Sequence, residues 1–401
     1  KQNIIRPFNI ELPYMEPLLK HVFTLLNIDS AKYWIMISTP QNLADSIKKG
    51  LMDHLVDRFH MRGVCMVQQS LLSLYSYKAT TGIILDIGHR IEVLPIFEGF
   101  VIEGGVARCP FGGQKVQESL TISLLENNYK FSSITEQWLV RYIMEQSCYV
   151  AIDYEQELEW CKTKPDTLKT SVNLSKLNLP DGSYLSVQHD ISRFKSPEGF
   201  FNVDMWELDY PTLHKLYQTC LDLLRAVLNI NLNCTEFIEG ELLGASAVLN
   251  ANKPNGGNTK QNVESTNPSE RFLVLPCLDN NHNSLWVYIT ILLKSHPYLH
   301  MCLLLSMGQL CMAWFVIRAV YLSGGVTMLP GFPERLEREL TKLAPPGVPV
   351  EIHAAPQRYH CAYIGAAAVA LMPQFEQMAI SLEEWKRESV RAFKKWQAPT
   401  S

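Results

Sequence analysis

Residues 82–97 constrain the fold of this chain more than any other stretch. An apolar run ends at Asp86 and is followed by Gly88, and a second apolar run extends from Ile91 to Phe97. Apolar runs of this length on either side of a glycine-containing turn predict a strand, a tight turn and an antiparallel return strand. Because glycine carries no Cβ, the turn would let the backbone approach a ligand closely.

Helical and extended patterns alternate along the rest of the chain. Residues 33–37 predict a short strand, and residues 177–185 predict a second hairpin on the turn Pro180-Asp181-Gly182. Helices are predicted over residues 15–26, 45–59, 114–127, 135–153, 213–227, 334–343, 366–371 and 383–396. Strand–turn–helix units in this order predict an α/β core.

Length, charge and cysteine usage narrow the classes of function. The 401-residue chain is long enough for two domains, and its formal net charge of −4 gives no reason to expect nucleic-acid binding through bulk charge. Its ten cysteines form no C-x-x-C pair, which argues against a disulfide framework or a metal site and predicts reduced thiols. The chain starts at Lys1 without a signal-peptide pattern, so we expect its natural N-terminus to be missing.

The segment 229–319 has two parts of opposite character. Residues 250–270 are polar and predict a mobile surface loop, whereas residues 285–293 and 298–320 are strongly apolar. The last stretch has the length of a membrane span, with Arg318 as its one formal charge. It also contains polar side chains and runs into a turn of a soluble fold, so we favour a buried helix or a partner-binding surface over a membrane role. A third interpretation is that part of the segment is not native coding sequence.

Several short motifs stand in a fixed order along the chain. In the first half they are Ser73-Leu74-Tyr75, Thr80-Thr81-Gly82, Asp86-x-Gly88, Val93-x-Pro95-x-x-Glu98-Gly99, Cys148-Tyr149-Val150-Ala151-x-Asp153 and Arg193-Phe194-x-x-Pro197-Glu198. In the second half they are Leu322-Ser323-Gly324-Gly325-x-Thr327-Met328-x-Pro330-Gly331 and Ile380-Ser381-x-x-Glu384-Trp385. In order and near-spacing these motifs resemble actin over residues 30–227 and 320–388, and the chain is identified as a divergent, actin-related member of that family.

The resemblance implies an α/β, actin-like fold, which is a duplicated ribonuclease H-like fold with two lobes around a central cleft. Residues 1–68 would belong to the outer lobe, and residues 69–228 to the first half of the inner lobe. Residues 229–319 would be an insert, and residues 320–401 would supply the C-terminal part and a tail helix. The first phosphate-binding hairpin of actin has no counterpart in the sequence, which would matter for any nucleotide chemistry.

The resemblance also implies a nucleotide site. Gln69 stands where actin orients the attacking water, and an amide can hold a water in line with a terminal phosphate. Asp86 stands where actin holds the water shell of its metal ion, and a hard cation takes carboxylate oxygen. The other matching positions that would face the nucleotide are Gly88, Arg141, Glu145, Gly324 and Gly325, and Tyr359 could stack on the base. Without the resemblance, these residues read more simply as helix caps, turn formers and surface charges.

Several substitutions argue against a working site. Where the second phosphate turn of actin reads Asp-x-Gly-Asp-Gly-x-Thr, this chain has His89, Arg90 and Glu92 in place of the second acid, the second glycine and the hydroxyl residue. A β-carbon at Arg90 obstructs the approach of backbone N–H groups to phosphate, although its guanidinium is an alternative phosphate ligand. Relative to actin, Met144 and Tyr359 each stand in place of a cation, Val326 in place of a hydroxyl residue and Leu329 in place of a tyrosine.

A chain that keeps the scaffold and loses this chemistry is predicted to use the actin shape for binding, without being an enzyme. We expect no cofactor, with ATP or ADP and magnesium as the alternative. The expected role is a structural subunit of a cytoskeletal, axonemal or dynactin-like assembly in the cytoplasm, with protein partners such as actin-like subunits and no direct nucleic-acid contact. Two alternatives stay open: an ATP-binding, filament-forming actin-like protein, and a nuclear actin-related subunit of a chromatin-remodelling complex.

Overall fold

The structure is a computed structural model, which describes residues 12–40, 43–163, 170–173, 186–227, 316–343 and 349–396. The chain divides into one unit of residues 1–224 with 314–401 and a second unit of residues 225–313. The three sheets of the described residues lie in the first unit. The hairpin predicted at 177–185, the polar stretch at 250–270 and the apolar stretch at 285–293 lie outside the described residues.

The described residues contain three sheets. The strands, in chain order, are β1 (Trp34–Thr39), β2 (Gly63–Gln68), β3 (Gly82–Ile87), β4 (Ile91–Phe97), β5 (Phe100–Val101), β6 (Ala107–Cys109), β7 (Thr170–Asn173), β8 (Ser186–His189), β9 (Ala319–Ser323), β10 (Glu351–His353) and β11 (Ile380–Ser381). The smallest sheet is the antiparallel pair of β7 and β8.

Helices alternate with these strands. They are α1 (Leu12–Leu26), α2 (Asp45–Asp57), α3 (Gln69–Ser76), α4 (Gly113–Glu126), α5 (Ile134–Ser147), α6 (Tyr154–Thr163), α7 (Ser192–Glu198), α8 (Leu213–Val227), α9 (Phe332–Thr341), α10 (Cys361–Ala370), α11 (Phe375–Met378) and α12 (Leu382–Glu388). The alternation of helices and strands confirms the predicted α/β class, and α8 has the bounds that the sequence predicts.

The largest sheet has the strand order β10-β9-β3-β4-β5, and β6 also pairs with β4. Strands β10, β9 and β3 are parallel, whereas β3 and β4 are antiparallel with Gly82 opposite Ile96 and Ile87 opposite Ile91. Every residue of β3 is buried, as expected for a continuous apolar run in the middle of a sheet. The hairpin predicted over residues 82–97 is confirmed.

The second sheet has the order β1-β2-β11. Its first two strands are parallel and are connected through α2, whose Leu51, Leu55 and Val56 pack in one hydrophobic cluster with Val64 of β2 and Ile380 of β11. Helix α2 is amphipathic, so its apolar face covers the sheet and its charged face meets solvent. Strand β1 pairs with β2 alone among the described residues, which places it at an edge of the sheet.

The helix predicted over residues 135–153 is too long. Helix α5 ends at Ser147 because Cys148 takes an extended conformation, with ψ of 150°. The N–H of Val150 then donates to the carbonyl of Pro330 at 2.8 Å. This long-range hydrogen bond replaces the one that a continued helix would make, and α6 begins separately.

The predicted tail helix over residues 383–396 consists of two pieces. Helix α12 ends before Ser389, which has a positive φ of 50°, and residues Ser389–Trp396 form a 3-10 helix. Positive φ is unfavourable for a residue with a Cβ and breaks the regular helix at this point. The rings of Trp385 and Phe393 stack on each other with centroids 5.4 Å apart, so the two pieces pack together.

The apolar stretch predicted to run to residue 320, and the insert predicted to end at 319, overlap the largest sheet. Strand β9 begins at Ala319, and Val320 is fully buried. The hydroxyl of Tyr217 donates to the carbonyl of Ile317 at 3.2 Å. The end of this stretch is therefore core, and residues 298–315 lie outside the described residues. Among the described helices, none is both long and apolar enough to cross a membrane.

Candidate functional site

The candidate site lies where β3 and β9 end side by side. Asp86 pairs in register with Ser323 on the neighbouring parallel strand. A glycine follows each strand end, with Gly88 in the turn after β3 and Gly324 directly after β9. In open α/β sheets, ligands bind outside the carboxyl ends of the strands. The location therefore fits the predicted nucleotide site.

Asp86 is buried and is held by the first residue of α3. Its Oδ2 accepts a hydrogen bond from Nε2 of Gln69 at 2.8 Å. The hydroxyl of Ser323 lies 3.0 Å from that of Ser73, and Ser323 also hydrogen-bonds to Asp86. Burial raises the pKa of Asp86 to about 6, the hydrogen bond from Gln69 opposes this rise, and the negative charge of Glu92 adds to it. The predicted role of Gln69 is to orient a water, but its amide nitrogen here donates to Asp86.

The turn after β3 is closed by its own hydrogen bonds. The N–H of Gly88 donates to the carbonyl of Arg90 at 3.0 Å, and the carbonyl of Gly88 accepts from the N–H of Gly113 at 2.8 Å. The start of α4 is packed so tightly on the turn that a Cβ at Gly112 would overlap the backbone of His89. The His89 side chain itself is exposed. The Gly88 N–H is therefore used within the turn.

The carboxylate of Glu92 next to the turn lies near two arginines, Arg108 and Arg90. It stands opposite Asp86 in the β3–β4 register, and Nε of Arg108 lies 3.7 Å from its Oε1. Burial raises the pKa of Glu92, while the charges of Arg108 and Arg90 oppose that rise. A phosphate that bound to Arg90, as the alternative prediction has it, would compete with this carboxylate.

Gly324 and Gly325 follow β9. Backbone conformation and packing require glycine at position 324, and packing favours it at position 325. Gly324 has a φ of +94°, and a Cβ there would overlap the carbonyl of Ile87 and lie 2.8 Å from Oδ1 of Asp86. Only glycine adopts this conformation without strain. A Cβ at Gly325 would lie 3.1 Å from the ring of Tyr359, which leaves little room for a larger residue. The fold alone therefore accounts for Gly324, whereas Gly325 is favoured only by its contact with the exposed ring of Tyr359.

Arg358 fixes the position of Tyr359. Its guanidinium donates to the carbonyl of Thr327 from Nε at 3.1 Å and from Nη2 at 2.7 Å, and to the carbonyl of Ala355 at 3.0 Å. Its own carbonyl accepts from the N–H of Gly324 at 3.3 Å. Local sequence patterns do not single out Arg358, because its hydrogen bonds to the carbonyl of Thr327 join segments that are distant in sequence.

The two charged residues predicted on α5 are paired with each other. Nε of Arg141 donates to Oε1 of Glu145 at 2.8 Å, and the guanidinium lies 5.5 Å from the ring centroid of Trp138. The hydrogen bond to Glu145 raises the pKa of Arg141, and the nearby Tyr359 adds to the rise. Met144 is buried, so its thioether belongs to the core. Leu329, which stands where actin has a tyrosine, is buried as well.

The structure brings the predicted nucleotide-facing residues into two connected sets. One set links Gln69, Asp86 and Gly324, and the other links Gly325, Tyr359, Arg141 and Glu145. Gly88 lies beside the start of α4, where its carbonyl accepts from the N–H of Gly113 at 2.8 Å and where a Cβ at Gly113 would lie 2.7 Å from Val326. Among the described residues, no group of His, Cys, Asp and Glu has the arrangement of a metal site.

A magnesium triphosphate needs free backbone N–H donors and carboxylate oxygens. In this site the Gly88 N–H, one N–H of the Gln69 amide and Nε of Arg141 already donate to protein atoms. A magnesium triphosphate would have to replace these bonds, so the residues as they stand fit that group poorly.

Comparison with known proteins agrees with the fold. The family model described as Actin matches residues 11–249 and 313–395. A protein of Neurospora crassa named Actin-like protein is 25% identical over 333 residues, which are 82% of this chain and 64% of that protein. The chain thus spans less than two thirds of that relative, and the match to the family runs past the predicted start of the insert at 229. The chain is a divergent member of the actin family and has its actin-like α/β fold.

Proposed function

We propose that this chain is a structural, actin-related subunit of a protein assembly and that ATP hydrolysis is not part of its function. Membership of the actin family supports a role in association with other proteins. The finer assignment that we propose is a cytoplasmic, cytoskeletal assembly of the dynactin-like or axonemal kind.

The observation that carries the proposal is the position of Tyr359. Its ring lies against Gly325 and close to Arg141, whose pKa it helps to raise, and Arg141 is paired with Glu145. The groups that the resemblance assigns to the base and the ribose thus lie against one another. A nucleotide would have to break these contacts before making its own, which lowers its net affinity.

The phosphate end of the site supports the same proposal. The β-carbon of Arg90 stands where the family turn has glycine, and the Gly88 N–H is bonded within the turn. Asp86 is buried, and its Oδ2 already accepts a hydrogen bond from Gln69, which leaves less of the carboxylate for a hydrated divalent cation.

Isothermal titration of the purified full chain with magnesium ATP tests the proposal. We expect no saturable heat up to about 1 mM nucleotide and no rise in Tm at that concentration. A conventional actin titrated under the same conditions is the positive control, and a thermal unfolding curve of the same sample shows that the chain is folded. Micromolar affinity together with phosphate release would overturn the proposal.

An ATP-binding, filament-forming protein is a second candidate. It is favoured by the meeting of Gln69, Asp86 and Gly324 at the ends of β3 and β9. High-speed sedimentation with and without magnesium ATP separates the two candidates, because pelleting that requires the nucleotide is expected for the second alone. The composition of the purified native complex then distinguishes a cytoplasmic subunit from a nuclear one.

A further inference from the structure

Ser389 occupies the break between α12 and the 3-10 helix of the tail. Its φ of 50° and ψ of −130° lie outside the regions that a residue with a Cβ favours. Its side chain is exposed, and its hydroxyl makes no hydrogen bond with a described residue. The break is therefore a strained point of the surface that carries an unused hydroxyl group.

Cations stand close to this serine in the sequence. Lys386 and Arg387 precede it by three and two residues, and Arg391 follows it by two. Ser389 is the one serine or threonine of the whole sequence with cations at both of those preceding positions. Protein kinases select their substrates in part by the charges around the acceptor hydroxyl, and acidic kinase residues match basic ones on the substrate. The sequence around Ser389 has the charge pattern of such a substrate.

The cations around Ser389 can be reached from solvent. Lys386 and Arg391 are exposed and form no ion pair with a described residue. Arg387 is paired with the neighbouring Glu388 at 2.8 Å, and 72% of its side chain is exposed. Such a surface pair is weak in water. A kinase can therefore bind these cations without breaking a buried contact.

The segment around Ser389 can open locally without exposing the core. A kinase takes its substrate in an extended form, so the helical turn on each side of the break has to open. Every side chain from Lys386 to Arg391 is exposed or half-buried, whereas Trp385 and Ala392 on either side are buried. The buried pair holds the ends of the segment in place. The unfavourable backbone conformation of Ser389 lowers the cost of opening at this point.

Two other hydroxyl groups follow an arginine by three residues and lack this access. Ser196 follows Arg193, but it is fully buried. Thr341 follows Arg338, but its hydroxyl donates to the carbonyl of Glu337 at 2.7 Å within α9. The hydroxyl of Ser389 is neither buried nor bonded in this way. Charge pattern and access coincide at Ser389.

We propose that Ser389 is a phosphorylation site for a protein kinase that selects basic residues before its acceptor. In the reaction, Oγ of Ser389 attacks the γ-phosphorus of magnesium ATP that is bound to the kinase. The Oγ–P bond forms, and the bond from that phosphorus to the bridging oxygen breaks. ADP leaves with the bonding electrons, and the hydroxyl proton passes to a carboxylate of the kinase. Because the kinase supplies the ATP, this inference stands apart from the proposed loss of ATP hydrolysis.

The phosphate would change the charge of the tail. Residues 386–395 carry five cations and one carboxylate, in a chain whose formal net charge is −4. A phosphoserine has a charge of about −1.5 to −2 at pH 7 and accepts charge-assisted hydrogen bonds from arginine. Arg391 is the expected partner, because Arg387 already binds Glu388. Phosphorylation would thus remove much of the positive charge of the tail and hold the break closed.

Treatment of the purified full chain with the catalytic subunit of cyclic-AMP-dependent protein kinase, a kinase of this class, tests the proposal. We expect about one phosphate per chain, which mass spectrometry of peptides should place at Ser389. Ser389→Gly should abolish phosphorylation and keep the fold, because glycine tolerates the positive φ and has no hydroxyl. Arg387→Gln should lower kcat/KM about tenfold or more, because it removes a charge that the kinase binds. Lys394→Gln, which lies further from the acceptor, is the control and should leave kcat/KM unchanged.

A synthetic peptide of residues 383–396 is the positive control for the kinase. Phosphorylation of this peptide but not of the full chain would show that the fold withholds Ser389, and it would overturn the proposal. Phosphate at other residues alone, or an unchanged kcat/KM for Arg387→Gln, would do the same.

Hydrogen exchange tests the expected contact with Arg391. Exchange at residues 386–391 should become about threefold slower or more after phosphorylation, and Arg391→Ala should remove this difference. Equal exchange before and after phosphorylation would show that the phosphate stays in solvent, and it would refute the contact.

Discussion

Nε2 of Gln69 donates a hydrogen bond to Oδ2 of Asp86 at 2.8 Å, at the point where β3 ends. The buried carboxylate thus receives a neutral donor and lies opposite Glu92 on β4. Burial outweighs the hydrogen bonds from Gln69 and Ser323 and raises the pKa of Asp86 to about 6. This balance makes Asp86 a measurable source of pH-dependent stability.

Replacement of Asp86 by asparagine should stabilise the protein near neutral pH. The pKa of Asp86 is about 6 in the folded chain, against an ordinary value of 3.8, so between these values the folded state binds more protons than the unfolded state. Wild-type stability therefore falls as the pH rises from about 4 to about 6, by up to about 3 kcal/mol, and Asp86→Asn removes this fall. Urea unfolding of both proteins across this range measures the difference.

The control for this prediction is Asp153→Asn. Asp153 is half-buried at the surface, and hydrogen bonds from the N–H of Gln156 and from Arg338 lower its pKa. The contribution of Asp153 to the free energy of unfolding has the opposite sign. It is present above the ordinary pKa of aspartate and is lost as the pH falls through the lowered pKa of Asp153 in the folded chain. Parallel pH curves for Asp86→Asn and the wild type would contradict the prediction.

Gly365→Ala should destabilise the fold strongly. A Cβ at Gly365 would overlap the carbonyl oxygen of Leu72, because α10 packs directly on the backbone of α3. Separating the two helices should cost about 2–3 kcal/mol or more in the free energy of unfolding. Gly88→Ala is the matched control, since a Cβ there meets no atom within 4 Å, and its effect should stay within about 0.5 kcal/mol. Equal losses in urea unfolding would contradict the packing difference.

Arg335→Met should remove a buried link between α9 and the end of α7. The guanidinium of Arg335 lies 2.9 Å from Oε1 of Glu198 and donates to the carbonyl of Ala151 at 2.8 Å. Burial raises the pKa of Glu198 to about 7 even with Arg335 opposing that rise. Loss of the cation leaves an unpaired buried carboxyl group and should cost about 3–5 kcal/mol.

Arg338→Met is the control for this substitution. Arg338 is an exposed residue one helical turn away that bonds to Asp153 at 3.0 Å, and its loss should cost about 1 kcal/mol or less. Chemical denaturation of both variants provides the comparison. Similar denaturation midpoints for Arg335→Met and Arg338→Met would show that burial does not increase the contribution of Arg335 to the stability of the fold.

Arg358→Ala should loosen the segment that places Tyr359 on Gly325. The change removes the hydrogen bonds to the carbonyls of Thr327 and Ala355, which should lower the free energy of unfolding by about 2 kcal/mol. Hydrogen exchange should become faster around residues 355–360. Arg391, an exposed arginine of the tail, is the control, and its replacement by alanine should leave the exchange at 355–360 unchanged.

Local patterns predicted the hairpin of β3 and β4 and the alternation of helices and strands, because both depend on residues that are close in sequence. The end of α5 escaped prediction because it depends on a hydrogen bond between Val150 and Pro330. The start of β9 at Ala319 was missed for a related reason: a strand inside a long apolar run has no boundary in composition. The edge position of β1 follows from pairings between distant segments, which no local pattern contains.

The sequence identified the residues of the candidate site better than it predicted their contacts. Gln69, Asp86 and Gly324 come together as the resemblance implies. The pairing of Arg141 with Glu145 is an i,i+4 contact within α5, which the helical spacing allows but which was not predicted. The contact of Tyr359 with Gly325 was not predicted because it depends on the packing of segments that are distant in sequence. Roles for these residues in nucleotide binding stay predictions.

The crowding of Gly324 against Ile87 and Asp86 affects how divergent relatives should be interpreted. Selection for correct folding is enough to retain that glycine for as long as the two strands end side by side. A glycine at this position therefore indicates shared ancestry and topology. It does not indicate whether the protein still binds phosphates. Surveys that count such glycines as marks of ATPase activity will overestimate the number of working enzymes.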